Sequence, residues 1–424
     1  MAQLSGVEIR PFGLADDPEA ELDLSRRAFG PISPARRAGS IARTQQSIKA
    51  GEMLGAFDGT RLVGSARFHP MRQWWHGRSM PMAGVAGVKV APEYRGRGVG
   101  RALMTALIPE MAWRGYPVSA LYPATAPLYR SLGWEIAGGR YETVMPMQLL
   151  AGLAGKSPDA SAGLRRATAA DAAIVAETLG RVYGELRDRG PATFDPGYIA
   201  VWLDDDDHFA YLADDGFLSY HWADGHDAVR VELLAAASAS TARAFWQLLG
   251  SHATMADQVR ACLAPDDPVR WLTREPSATV RQVWSWMLRL IDVPAAIEAR
   301  GFPAPVEVSA QFELADDVIP ANAGRWRLEV SGGAGKLVQV GPPGPASPVG
   351  AASLGGSVNT GGSASTGEHD PVLRLGARGL AALYAGVPLG TLRRVGLVHG
   401  GDQASDDALD SAFGGRMAFM LHDF

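Results

Sequence analysis

Between residues 86 and 101 the chain reads Ala-Gly-Val-Lys-Val-Ala-Pro-Glu-Tyr-Arg-Gly-Arg-Gly-Val-Gly-Arg. A strand ending near Val90, then Arg95-x-x-Gly98-x-Gly100, then a run with helical apolar spacing is the order that a phosphate cradle needs. Glycines let the backbone approach a ligand closely, so successive amides can turn into one concavity. The start of the following helix adds positive potential. Arg95, Arg97 and Arg101 supply charge for a pyrophosphate. A Walker loop would require Gly-Lys-Ser/Thr, and a dinucleotide fingerprint would follow the first strand directly; neither holds. A basic, glycine-rich surface turn is the bland alternative, and the order of strand, loop and helix speaks against it.

Other chemistry-bearing residues have plainer readings. Tyr129, in Leu128-Tyr129-Arg130-Ser131-Leu132-Gly133-Trp134, read by itself is a helix tyrosine packing on a sheet. Asp204 to Asp207 form a four-residue acidic block, best read as a solvated loop. The nine histidines show neither H-x-x-x-H nor H-E-x-x-H spacing, so no metal site is expected. Trp74-Trp75 could line an amine pocket or fill a hairpin core. Cys262, the single cysteine, reads as a small buried hydrophobe.

The elements that would hold the cradle alternate over residues 1–148. A short strand at Val7–Arg10 precedes helices over Glu21–Phe29 and from Pro34 to Ala50, the latter stopped by Gly51. Met53–Phe57, the Asp58-Gly59 turn and Arg61–Phe68 make a hairpin. A strand from about Met80 to Val90 enters the glycine loop, and Leu103, Met104, Leu107, Ile108 and Met111 stripe the helix behind it. Strands at Val118–Tyr122 and Arg140–Met147 flank a short helix over Ala126–Leu132. Residues 149–162 read as a linker.

Beyond it the plan repeats: a strand at Leu164–Arg166, a helix from Asp171, a hairpin over His208–Trp222, a strand at Val229–Ala235 and a helix over Thr241–Gly250. In this copy Ala236-Ala237-Ser238-Ala239-Ser240 stands where the glycine loop should be. From Trp284 the character changes, with strands at Val306–Leu314 and Gly324–Val330 and helices near Arg378–Ala385 and Ala404–Phe413. Gly, Pro, Ser and Ala dominate residues 341–367, the composition of a flexible loop.

Composition sets the frame. At about 150 residues per domain, 424 residues suggest two or three domains. A 47% hydrophobic fraction excludes disorder throughout. A net charge of −5 gives no global pull toward nucleic acid or anionic membranes. No stretch approaches the roughly 18 apolar residues of a membrane span, and the N-terminus shows no signal-peptide pattern. With one cysteine, a reducing cytoplasm is the expected location.

Val88-x-Val90-x-Pro92 followed by Arg95-Gly96-Arg97-Gly98-Val99-Gly100 resembles the acetyl-CoA loop of Gcn5-related (GNAT) N-acetyltransferases. Tyr129-x-x-x-Gly133-Trp134 is similar to that superfamily's later Tyr-x-x-x-Gly-aromatic element. A loop-less second copy, the section beginning Asp292-Val293-Pro294 and a C-terminal phenylalanine resemble the Eis (enhanced intracellular survival) family of aminoglycoside and lysine N-acetyltransferases. The resemblance implies an α+β architecture of two tandem GNAT-like domains, the second degenerate, and a sterol-carrier-like α/β C-terminal domain. Their expected spans are 1–148, 149–288 and 289–424.

The resemblance also distributes roles. Acetyl-CoA is the expected co-substrate, held by Val88, Val90 and residues Arg95 to Arg101, with no metal. Aminolysis of a thioester needs a free amine, a stabilised oxyanion and a protonated leaving thiol. Val88 would polarise the thioester carbonyl through its backbone N–H, and Val90 would pair with the pantetheine arm as an added strand. Tyr129 would return a proton to the sulfur; a phenol with pKa near 10 is protonated at pH 7. The α-carboxylate of Phe424 would act as base, Asp423 would bind a cationic substrate, and Phe29 would line the pocket. A homohexamer acting on small-molecule or peptide amines is implied, without nucleic-acid or membrane partners. The alternative is a non-catalytic acyl-CoA sensor or lipid-binding scaffold.

Overall fold

The computed structural model describes residues 6–32, 34–153, 163–223, 225, 227–273, 275, 278–342 and 372–424. The first third contains β1 (Val7–Pro11), α1 (Pro18–Phe29), α2 (Pro34–Lys49), β2 (Met53–Asp58), β3 (Arg61–Trp75), β4 (Arg78–Val90), α3 (Val99–Trp113), β5 (Val118–Leu121), α4 (Ala126–Arg130) and β6 (Glu135–Pro146). Local signals set several of these ends. Asp17 caps α1 by accepting the Glu19 N–H, Pro18 opens the helix, and Gly30 closes it at φ 100°.

Strand β3 runs past the expected stop at Phe68 to Trp75. Its outer edge pairs with β2 as far as Arg67 and then, from Met71, with a strand from the second third, Arg189–Phe194. Pro70 falls in the interval between those two neighbours, a place that tolerates a residue lacking an N–H. Trp74 and Trp75 are buried, so the paired tryptophans are core residues.

The second third holds α5 (Met147–Ala151), β7 (Arg165–Arg166), α6 (Ala172–Leu186), β8 (Arg189–Phe194), α7 (Pro196–Leu203), β9 (Phe209–Ala213), β10 (Gly216–Ala223), β11 (Ala228–Ala236), α8 (Ala239–Gly250), β12 (Gln258–Leu263), α9 (Val269–Leu272) and β13 (Thr279–Leu290). The expected linker begins as helix α5, and its residues 154–162 lie outside the described residues. β6 starts at Glu135, five residues before the expected Arg140. β8 and α7 have no counterpart in the sequence reading.

The last third comprises α10 (Val293–Ala299), β14 (Val308–Ala315), β15 (Gly324–Ser331), β16 (Ala334–Gly341), β17 (Leu373–Gly376), α11 (Ala377–Tyr384), α12 (Leu389–Arg394), β18 (Val398–His399) and α13 (Gln403–Phe413). Its five strands form a separate sheet in the order β16-β15-β14-β17-β18. The expected loop at 341–367 begins with the last residue of β16, and from 343 it lies outside the described residues.

The first two units share one sheet of order β1-β2-β3-β4-β5-β13-β6-β12-β11-β10-β9-β7, with β8 added to β3. Strand β13 slots between β5 and β6, pairing Leu288 with both Ala120 and Glu135. Strand β6 in turn pairs with β12, Met145 opposite Val259. Each unit is thus completed by a strand of the other. Trp286, Met287, Leu288 and Leu290 of β13 are all buried, as expected for a strand covered on both faces.

Two irregularities matter for chemistry. β4 and β5 pair in parallel only from Met82–Gly84 to Val118–Ala120, yet β4 runs on to Val90. The ladder therefore stops where β4 still has six residues to go. Within that stretch Gly87, at φ +58°, and Val88 together oppose Ala66, between the Ser65–Lys89 and Arg67–Ala86 pairs. This β-bulge re-aims the backbone at Val88.

Candidate active site

The glycine loop leads from the end of β4 to the start of α3. Gly96 and Gly98 adopt φ +76° and +86°, a region other residues enter at a cost. Gly98 is the N-cap and brings no side chain to cap the helix. The first amides of α3 have no acceptor within the helix, so they are available to an anion. A Cβ on Gly96 would meet nothing within 4 Å among the described residues, which leaves the outer face of the loop open to them. Arg95, Arg97 and Arg101 are all exposed around it. Arg97 lies 5.0 Å from the Tyr94 ring centroid, Arg95 Nε donates to the Val90 carbonyl at 3.4 Å, and Arg101 donates to Ser131 Oγ.

The inner face of α3 explains why the loop is held. Val99, Leu103, Met104, Leu107 and Met111 are buried against Val63, Phe68 and Val85 of the sheet, with Val88 and Val90 packed at the margin. Tyr129, from α4, belongs to the same cluster and is 5% exposed. Burial pushes its hydroxyl up to about 12, so the phenol holds its proton across the neutral range. Gly133, at φ +94°, turns the chain after α4, and Trp134 is fully buried behind Tyr129. The buried pair Arg289–Asp316, 2.6 Å apart, adds a donor from Arg289 Nε to the Leu132 carbonyl, tying this turn to the last third of the chain.

The C-terminal residue reaches the same strand from the other side. A Cβ on Gly84 would stand 3.0 Å from the Phe424 ring, so that ring rests where the β4–β5 pairing ends. Tyr122, one residue past β5, has its ring centroid 5.5 Å from that of Phe424 and donates its hydroxyl to the His422 carbonyl at 3.0 Å. The tail is hydrogen-bonded through Phe419 N–H to the Arg189 carbonyl and Met420 N–H to the Gly139 carbonyl. Along β4, Gly84 and Val88 are four residues apart, at most roughly 13 Å of strand. Val88, Val90, Val99 at the start of α3 and Tyr129 thus share one cluster, with Phe424 farther along the same strand.

Two other expected site residues differ in setting. Asp423 is half exposed and its carboxylate lies 3.1 Å from Arg140 Nη1, so it already has a partner within the chain. Phe29 is 62% exposed at the end of α1, 5.8 Å from Lys89 Nζ. Lys89 itself is buried, ion-paired with Glu21 and 2.5 Å from Ser25 Oγ, which fixes α1 on β4.

Aromatic side chains beside Phe424 escaped the sequence reading: the Tyr122 and Phe194 rings lie 5.5 and 6.5 Å from its own. Phe194 of β8 stacks on Tyr198 of α7 at 4.0 Å and lies 4.8 Å from the His422 ring; Trp284 of β13 lies 5.8 Å from Tyr122. The second unit therefore builds half of this wall. Asp195-Pro196 was the available signal, since Asp195 caps α7 through the Gly197 and Tyr198 amides. The strand before it, Arg-Gly-Pro-Ala-Thr-Phe, has no apolar alternation to betray it. Burial lowers His422 to about 4, and both its ring nitrogens are buried without a hydrogen-bond partner among the described residues.

Residues 8–137 and 183–290 each match an acetyltransferase (GNAT) domain family, and residues 293–421 match a sterol carrier protein domain family. N-acetyltransferase Eis of Mycobacterium tuberculosis is 30% identical over 300 residues, 66% of this chain and 71% of that protein. A GCN5-related N-acetyltransferase from Kribbella flavida superposes with a TM-score of 0.85 at 40% identity, covering 99% of this chain and 98% of that one. Eis1 from Mycobacterium abscessus shares the fold with a TM-score of 0.72 at 22% identity, over 99% of this chain and all of that one. Two GNAT domains on one sheet, a sterol-carrier-like third domain and this coverage place the chain among the Eis-family N-acetyltransferases of the GNAT superfamily.

Proposed function

We propose that the enzyme acetylates amines of cationic substrates, aminoglycoside-like polyamines or lysine side chains, by direct transfer from acetyl-CoA in a ternary complex. The observation that carries this reading is the parting of β4 from β5, with the open glycine cradle at one end and the chain terminus at the other. The cradle suits a pyrophosphate: an uncapped helix start, an open face and three exposed arginines. Bound there, acetyl-CoA supplies the acetyl group as a thioester.

The chain's own residues do the rest. Loop amides from Gly96 to Arg101, with Arg95, Arg97 and Arg101, hold the phosphates. Val90 offers strand pairing to the pantetheine arm, and Val88 at the bulge offers its N–H to the carbonyl oxygen. Tyr129 donates the proton that the leaving thiol needs. The α-carboxylate of Phe424, anionic at pH 7, takes the proton from the substrate ammonium, and Asp423 adds negative charge beside it. Phe29 lines the approach. Direct transfer is favoured because Cys262, the one thiol, is buried and pushed up to about 11 by that burial, which makes it a poor nucleophile.

Thiol release from acetyl-CoA, measured with a panel of polyamines, aminoglycosides and lysine peptides, tests the reading. Amine-dependent release is expected; none with any amine, alongside tight acetyl-CoA binding, would favour a non-catalytic sensor instead. Sedimentation at the mass of six chains is the outcome expected for the assembly.

A further inference from the structure

Chain ends fray unless something ties them down. Here the final residues leave the sheet after Met420, and side chains meet the carbonyls that follow. Arg140 of β6 is the centre of this arrangement. Its side chain is 3% exposed, and each of its three nitrogens has its own partner. Nε donates to the Leu421 carbonyl at 3.2 Å, Nη1 lies 3.1 Å from Asp423 Oδ1, and Nη2 lies 3.3 Å from Glu232 Oε2. The guanidinium also sits 5.6 Å from the centroid of Trp284, its cross-strand neighbour on β13.

Two of those three partners belong to the last four residues of the chain, and the third comes from β11 of the second GNAT unit. A guanidinium is a planar fork whose donors have fixed directions. Clamped by Glu232 on one side, it presents its other two nitrogens to the tail in a set orientation. We infer that Arg140 is the positioning residue for the C-terminal carboxylate: holding Leu421 and Asp423, it determines where the Phe424 carboxylate lies. This rests on the reading of Phe424 as the base. It also gives Asp423 a clamping role and gives the degenerate second domain a task, that of anchoring the reactive end of the chain through Glu232.

The test uses the full-length enzyme with Arg140→Lys, Asp423→Asn, and a Gly-Ser-Gly extension after Phe424. Two quantities are read: release of the terminal phenylalanine by carboxypeptidase A, and steady-state kinetics. Arg140→Lys keeps the charge but loses the fork. It is expected to raise phenylalanine release and to lower kcat by about 10- to 100-fold, the usual loss from ångström-scale misplacement, with the KM for acetyl-CoA unchanged. Combined with the extension it should cost no more than the extension alone, because both displace the same group. Asp423→Asn, which leaves the buried charge in place and serves should Arg140→Lys fail to fold, is expected to lower kcat in the same direction. A rise in the amine KM at constant kcat would make Asp423 a substrate ligand and overturn the clamp. Unchanged phenylalanine release and unchanged kcat in Arg140→Lys, with a crippled extended chain, would overturn the inference while sparing the base. Full activity of the extended chain would instead overturn the base reading itself.

Discussion

Phe424 lies with its ring against Gly84, so the last residue of the chain covers the point at which β4 and β5 separate. A methyl group at Gly84 would also come within 2.5 Å of Met71 Sδ. Gly84→Ala is therefore expected to displace the Phe424 ring, to cost about 1–3 kcal/mol of stability through overpacking, and to lower kcat. Thermal denaturation and steady-state kinetics measure the two effects, and wild-type values in both would refute the packing.

Tyr129→Phe removes the proposed acid and preserves the ring's packing. Turnover should fall about 10²- to 10⁴-fold, the usual span for a general acid, with acetyl-CoA affinity unchanged by calorimetry. Because burial raises the hydroxyl to about 12, the protonated form persists to high pH. The wild-type rate should accordingly show no alkaline loss from this group below about pH 10. Equal losses in rate and affinity would argue for a structural role.

Gly96→Ala places a side chain in open space but forces it into a φ of +76°. The free loop relieves that strain by leaving this conformation, and holding the proposed ligand restores it at about 1–2 kcal/mol. Acetyl-CoA affinity should drop roughly 5- to 30-fold while the melting temperature moves little, and titration calorimetry reports the difference.

The fold should lose stability in acid through His422. Its folded pKa, about 4, is below the unfolded value, so the unfolded chain takes up the proton first as pH falls. Its contribution is complete above about pH 6.5 and declines between there and pH 4, by roughly 3 kcal/mol. His422→Phe, which keeps an aromatic ring beside Phe194, should flatten that part of the stability curve in urea titrations at stepped pH. An unaltered slope would contradict the assignment.

Cys262→Ala tests direct transfer. A buried, protonated thiol takes no part in chemistry, so kcat should stay at the wild-type value. Loss of turnover without loss of folding would point to a covalent acetyl intermediate.

Much of the proposed cofactor site was legible in the chain because its signals are local. Glycines at 96 and 98 need positive φ, Arg95 to Arg101 flank them, and the apolar stripe of α3 follows immediately, all between Arg95 and Met111. Tyr129 and Gly133 sit four apart around one short helix. Such features depend on backbone geometry over one or two turns, which neighbouring residues decide.

What only the tertiary structure decided is pairing between distant segments. Nothing near Thr279–Leu290 announces that this strand will lie between β5 and β6, and nothing near Arg189–Phe194 announces that it will extend β3. The same holds at the end of the chain: Arg140 and Leu421 are 281 positions apart, yet they hydrogen-bond. Strand partners and buried ion pairs are chosen by the burial of whole faces against one another, a collective property with no short-range sequence period. The glycine loop is therefore written locally, while the aromatic wall beside the Phe424 ring depends on strands of both acetyltransferase domains sharing one sheet.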